Sequence, residues 1–520
     1  MNVSEFLDLT AEIVPNRPAT LFEGRTRSFA ELRDRSARIA GALASLGVGK
    51  GDRVAVLDVN SDDYIAAFFA SSRLGAVFVP LNFRAKADEL TFMLNDSGAK
   101  ALLVGPAYRD LVASLRSGLT EVSQAVSLGE HHAGWPSLDE LIDAAHRGGD
   151  ASPVDGQDTA MLLFTAGTTG TPKGVMLTHE SFSSYLLSNV EPADPQVEER
   201  TLLSVPLYHV AGMQSMMAAV FGGRSLVVQR QFEPVQWMDL VERERVTRTT
   251  LVPTMLKMVM DHPEFPQRNL SSLEVVSYGA APMPLEVIKR AITSLPGVRF
   301  INAFGQTETG ATITMLPPDD HDLTGPPEEV EKKLRRLTSI GRPLEDVEVG
   351  IVDEGGVTVP PGNVGEIVAR GPRLMKGYWN RADATAQAIR GGWLYTGDLG
   401  YMDEDGYIYL SGRAKDFIKR GGEMISPEEV ERVLQSHPAI EEAAVIGVPD
   451  PHWGEAVRAV VVPKKGCVLD NAEVVEYCRQ RLASFKKPES VIVADVLPRN
   501  ALGKVLKRAL REQFGESVRF

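Results

Sequence analysis

Ten residues from Thr165 to Gly174, TAGTTGTPKG, set four threonines, three glycines and a lysine behind the apolar run Met161 to Phe164. Gly167 and Gly170 allow backbone N–H groups to approach anionic oxygens with no Cβ in the way. Thr165, Thr168, Thr169 and Thr171 add hydroxyl donors, and Lys173 adds a positive charge. A loop of this composition suits a polyphosphate, and the expected ligand is ATP. It is not a Walker A loop, because Lys173 is followed by Gly174 where that motif needs Ser or Thr. On its own the string also fits an ordinary Gly/Thr-rich turn.

Four further segments give the loop its meaning: SYGAAP at Ser277 to Pro282, NAFGQTETG at Asn302 to Gly310, the stretch Tyr395 to Arg413 that holds YTGDLG, and PRNALGKVLK at Pro498 to Lys507. Together with the loop they resemble the adenylate-forming superfamily of acyl-CoA synthetases, aryl-CoA ligases, luciferases and peptide-synthetase adenylation domains. The resemblance runs from about Phe29 to Leu510. It implies a two-step chemistry. A carboxylate resists a thiol because its leaving group would be oxide or hydroxide. Attack of the acid's oxygen on the α-phosphorus of ATP releases pyrophosphate and leaves an acyl-adenylate, from which a thiol displaces AMP.

The resemblance also implies a role for each residue. Ala166 and Gly167 to Gly170 line the triphosphate together with Thr165 and Lys173, while Asn302, Ala303, Phe304 and Gly305 wall the adenine. Thr307 donates to the α-phosphate, and Glu308 sits by Mg²⁺ with Thr165. Read alone, the Thr307-Glu308 string would equally open a helix. Gly279, Ala280 and Ala281 are small, as packing against a flat ligand requires. Asp398 and Arg413 hold the ribose hydroxyls, since a carboxylate can accept both hydrogens of a vicinal diol.

Lys504 matches the lysine that a mobile second domain carries onto the substrate carboxylate and α-phosphate, a contribution of about 10²- to 10³-fold in rate. Lys415 stands at the hinge position, and Gly421 and Gly422 border the pantetheine arm of coenzyme A after the domain turns. His209, in PLYHVAG, takes the place of the histidine at the acyl pocket, with a buried structural role as the alternative. Lys486 and Lys487 match a basic pair that meets CoA phosphates in some relatives. One departure is Ala166, where Ser or Thr is usual; the lost hydroxyl costs about 1 kcal/mol of pyrophosphate binding.

The reading that follows is an AMP-forming acid:CoA ligase acting with ATP, Mg²⁺ and coenzyme A on an apolar fatty or aryl carboxylate. Met213, Met216, Met217 and Met255 are candidate lining residues for that acid, with plain core as the alternative. The stretch Pro206 to Met217 contains no acid for a substrate ammonium group. Two alternatives stand beside it: an acyl-AMP ligase that loads a carrier-protein thiol, and a non-catalytic nucleotide-binding relative.

These residues need a scaffold, and 520 residues suffice for several cores at roughly 150 per domain. A hydrophobic fraction of 43% with 24% charged residues is that of a globular protein. A net charge of −14 opposes general binding to nucleic acid. The two cysteines, Cys467 and Cys478, cannot build a disulfide framework or a four-ligand zinc site. The N-terminus has no basic, apolar leader, and no run approaches the ~18 to 20 apolar residues that span a bilayer. A cytoplasmic location is expected, with peripheral membrane contact and oligomeric state left open.

Short apolar runs such as Arg53 to Val59, Ser225 to Val228 and Leu273 to Ser277 alternate with helical patterns such as Phe29 to Leu46 and Ser61 to Leu74. That alternation predicts an α/β fold; together with the resemblance it implies a large N-terminal domain over 1–411 with a β-rich part at about 340–411, and a small mobile α+β domain over 412–520. Pro427 to Gln435 reads as a helix capped by Ser426, and Pro317 to Arg336 as a solvated loop followed by an exposed helix.

Overall fold

The computed structural model describes residues 1–129, 134–145, 151–165, 172–413, 416–420, 423–451, 453–499 and 505–516. Four sheets organise them. A seven-stranded sheet has Arg53–Leu57, Val77–Pro80, Ala99–Val104 and Gln124–Ser127 in parallel, with the antiparallel pair Thr159–Thr165 and Lys173–Thr178 towards one edge. A nine-stranded sheet runs parallel through Ser225–Val228, Arg200–Leu203, Arg248–Leu251, Val275–Gly279 and Arg299–Gln306, then turns antiparallel at Ala311–Leu316.

Helices Ser4–Ile13, Phe29–Ser45, Asp62–Arg73 and Val210–Phe221 share one core with both sheets, a cluster that joins Val54, Phe78 and Met161 to Leu203 and Leu226. Their starts follow local chemistry. Ser28 and Glu31 form a reciprocal capping box, and Ser61 accepts from the Tyr64 N–H. The predicted helices Phe29 to Leu46 and Ser61 to Leu74 therefore appear within a residue of their expected ends.

A third sheet pairs Glu348–Val352, Gly365–Arg370 and Trp393–Met402, and Ile408–Arg413 still belongs to it. The change to the fourth sheet, built on Gly454–Pro463 and Ile440–Asp450, falls between Arg413 and Ile418, just past the boundary expected at 412. The helix Pro427–Gln435 has Ser426 accepting from the Glu429 N–H at 3.2 Å. Pro327–Arg336 is the exposed helix predicted there, with no buried residue.

Two readings left open by the sequence are decided. Thr307 to Gly310 does not open a helix; it turns the strand Arg299–Gln306 back into Ala311–Leu316. The cap-like string is overruled by strand pairing, in which Gln306 lies opposite Ala311. The methionines do not line a pocket. Met213, Met216 and Met217 are at most 2% exposed in the inter-sheet core, and Met255 packs with Trp237 and Leu256 in a second cluster.

Candidate active site

The chemistry-bearing segments meet at one cleft, at the carboxyl ends of the parallel strands of the nine-stranded sheet, where open α/β sheets bind ligands. Its walls include Thr165 and Lys173, Gly279 to Ala281, Asn302 to Glu308, and Asp398 with Arg413. Sheet pairing sets their geometry. Thr165 lies opposite Lys173, Gly279 opposite Ala303, and Asp398 opposite Arg413.

Close backbone approach dictates the small residues. A Cβ on Gly305 would stand 1.6 Å from the Ala311 carbonyl oxygen, and one on Gly279 would stand 2.0 Å from that of Ala303. Any other residue would force these strands apart. Ala280 holds a left-handed φ of +64°, a conformation an alanine seldom adopts and one that recurs at ligand sites.

Asp398 is nearly buried. Arg413 Nε donates to its Oδ1 at 2.6 Å, Gln306 Nε2 donates to its Oδ2, and its own N–H donates to Thr396 Oγ1. Glu308 accepts from the Tyr378 hydroxyl at 3.0 Å, and Lys173 Nζ stands 4.9 Å above the Tyr378 ring. Burial first, then the Glu308 charge, pushes the Tyr378 pKa well up, so the phenol stays a donor. Gln306 and Tyr378 were not singled out from the sequence. Gln306 lies inside a recognised motif and could have been; Tyr378 carries no local signal.

His209 precedes the helix Val210–Phe221, and its Nε2 is buried without a hydrogen-bond partner. Burial lowers its pKa to about 3, with Arg84 contributing in the same direction, so the ring is neutral. Lys486 and Lys487 are each engaged with a carboxylate, Glu429 at 2.7 Å and Glu489 at 3.0 Å. Ala166, Gly167, Thr168, Thr169, Gly170, Lys415, Gly421, Gly422 and Lys504 lie outside the described residues. Their neighbours do reach the cleft: Arg499, Val505 and Lys507 line it, and Lys257 of the large domain meets Glu441 of the small one at 2.8 Å.

Behind the nucleotide segments, the cleft continues as a trough between the sheet and the helix Val210–Phe221. Strand register puts Arg248, Thr250, Val275, Ser277, Ile301 and Ala303 on the same side of the sheet, and all of them line the trough. The other side, with Leu251, Val276, Tyr278 and Phe300, is core. The helix presents Ala211, Gln214, Ser215 and Ala218 to the trough and Met213, Met216, Met217 and Val220 to the core. Both sets repeat at i, i+3, i+4 and i+7, the spacing of one helix face.

Comparison with known proteins gives the family. The family model for AMP-binding enzymes matches residues 7–379, and the model for the AMP-binding enzyme C-terminal domain matches residues 429–504. The chain is 38% identical to a feruloyl-CoA synthase of an Amycolatopsis species, over 97% of both chains. It is 35% identical to a fatty acid–[acyl-carrier-protein] ligase of Streptomyces coeruleorubidus, covering 98% of this chain and 96% of that one. A solved Mycobacterium tuberculosis fatty acyl CoA synthetase superposes with a TM-score of 0.78 at 33% identity, over 99% of this chain and 98% of that chain.

Proposed function

The chain belongs to the AMP-binding enzymes of the adenylate-forming superfamily, and from that premise we propose that it is an AMP-forming acid:CoA ligase. The observation that carries the reading is the meeting of three subsites in one cleft. A phosphate corner holds Thr165, Lys173, Thr307 and Glu308; a ribose corner holds Asp398 and Arg413; and a trough opens between them and the helix after His209. An acid lying in that trough presents its carboxylate to the α-phosphate of a nucleotide bound across the other two.

In this reading Thr307 and Lys173 orient the phosphates, and Asp398 fixes the ribose by accepting from its hydroxyls. Neutral His209 borders the acyl entrance as an uncharged wall. Glu308 has one oxygen on Tyr378, and its other has no protein partner among the described residues, which fits a hard cation shared with substrate phosphates. Mg²⁺ held there with Thr165 would neutralise phosphate charge. No cluster of three or more acidic, histidine or cysteine ligands occurs among the described residues, as suits an ion that arrives with its nucleotide. Lys504 is assigned to the developing charge between carboxylate and α-phosphate. Lys415 is assigned to the hinge, with Gly421 and Gly422 beside the incoming thiol. Gly412 supports a close seam between the domains, since a Cβ there would stand 2.1 Å from Glu428 Oε2. No helix among the described residues is long and apolar enough to cross a membrane, and both cysteines are free.

The test is exchange of labelled pyrophosphate into ATP, driven by a panel of organic acids with magnesium, coupled to detection of free acyl-CoA. Acid-dependent exchange with thioester release is expected; no exchange with any acid refutes the proposal. A second reading, delivery to a carrier-protein thiol, is favoured by the engagement of Lys486 and Lys487 with Glu429 and Glu489, where CoA phosphates would need unpaired cations. Exchange without free acyl-CoA, but with acylation of a holo carrier protein, selects that reading.

A further inference from the structure

The trough, walled largely by small and apolar residues, carries buried polar groups along part of its length. Gln214 projects from the middle of the helix Val210–Phe221, and its Oε1 accepts from Thr312 Oγ1 at 3.1 Å. Its Nε2 is buried and has no hydrogen-bond partner. The Tyr185 phenol also faces the trough, its pKa raised by burial. Gln214 is near enough to lower that pKa in opposition, yet no bond of normal geometry joins the two. Farther along, Thr201 Oγ1 is likewise buried without a partner. A buried polar atom without a protein partner is destabilising, so on a ligand wall it is a place where a bound group can supply the missing bond.

The wall behind Tyr185 is rigid. Arg373 is fully buried, donates to Asp346 at 2.9 Å and lies 5.3 Å above the Tyr185 ring, while Asn189 donates to both Asp346 and the Tyr185 carbonyl. Tyr185 is thus held by this polar network, and Gln214 by its bond with Thr312.

From this geometry we infer that the acid activated here is an aryl acid bearing a hydroxyl at the ring edge remote from its carboxylate, and that Gln214, beside Tyr185, selects it by a hydrogen bond. The inference rests on the ligase reading above. Gln214 follows His209 by five residues, a rise of about 7.5 Å along the helix. A phenol carrying a propenoic or propanoic acid arm opposite its hydroxyl spans that separation. Small residues on both walls, Ala211 and Ser215 against Ser277 and Ala303, leave a slot suited to a flat ring. A hydroxyl both donates and accepts, so it satisfies Gln214 whichever end of the amide faces the trough.

The test compares kcat/KM in the exchange reaction for para-hydroxyphenylpropenoic acid, phenylpropenoic acid and octanoic acid, using the full chain with saturating ATP and magnesium. The wild type should prefer the hydroxy acid to phenylpropenoic acid by about 10- to 100-fold. Gln214→Leu should bring that ratio below about threefold. Gln214→Met, of nearly the same length, covers any packing fault from leucine, and urea unfolding of both variants reports whether the fold is intact. A wild-type ratio near one, a preference for octanoic acid, or a ratio unchanged in folded Gln214 variants overturns this inference and leaves the ligase reading standing. No exchange with any acid overturns both.

Discussion

Replacing Asp398 by alanine separates a ribose-binding carboxylate from a merely structural partner of Arg413. The side chain is 8% exposed and already accepts one bond on each oxygen, from Arg413 and Gln306. In the ligase reading two ribose hydroxyls also donate to this carboxylate. Each is a hydrogen bond to a charged group, worth about 1.5–3 kcal/mol, so the pair amounts to about 3–6 kcal/mol and about 10²- to 10⁴-fold in kcat/KM for ATP. The effect on folding is far smaller. Arg413 is one-third exposed, and a pair so placed contributes about 1 kcal/mol or less. The decisive assay is pyrophosphate exchange with ATP and with 2′-deoxy-ATP. Wild-type protein should favour ATP by about 10- to 100-fold, and Asp398→Ala should treat the two alike, since the hydroxyl has lost its acceptor. If the variant is slow but still discriminates as strongly as the wild type, Asp398 does not touch the ribose and its role is confined to Arg413 and Gln306.

Lys504→Ala should cut adenylate formation by about 10²- to 10³-fold yet largely spare thioester formation from supplied acyl-AMP; equal loss in both half-reactions contradicts its assignment. Met216→Ala should lower stability by about 2–5 kcal/mol in urea unfolding without changing the ranking of acids, because Met216 is core and not trough. A changed ranking would put it back in the pocket. Three buried histidines tie stability to pH: burial lowers His209 to about 3 and His179 and His321 to about 4. Below about pH 6.5 the unfolded chain takes up protons that the native rings refuse, so stability is full above that value and declines towards pH 4. The slope is about 1.4 kcal/mol per pH unit for each histidine, and His321→Gln should remove one share of it in unfolding measured from pH 7 to 5. Equal or greater stability at pH 5 contradicts the burial argument.

The sequence by itself determined the local features. Ser28, Ser61 and Ser426 cap helices because a hydroxyl beside its own helix needs no tertiary partner. Strand positions followed from short apolar runs, as at Ser225–Val228, and the reaction class followed from motifs whose residues are contiguous. Tertiary structure decided what depends on neighbours distant in the chain. Gln306 meets Asp398 across 92 residues and Tyr378 meets Glu308 across 70, so neither contact leaves a periodic trace. The string at Thr307 to Gly310 resembles a helix cap, but pairing of the flanking strands makes it a turn. The helix after His209 states the division most plainly. Its two faces share one spacing, and apolarity correctly marks the methionines as buried; which face borders the acid depends on what packs opposite. Burial against two sheets took the methionines, and the face left open to the trough was the one carrying Gln214 and Ser215.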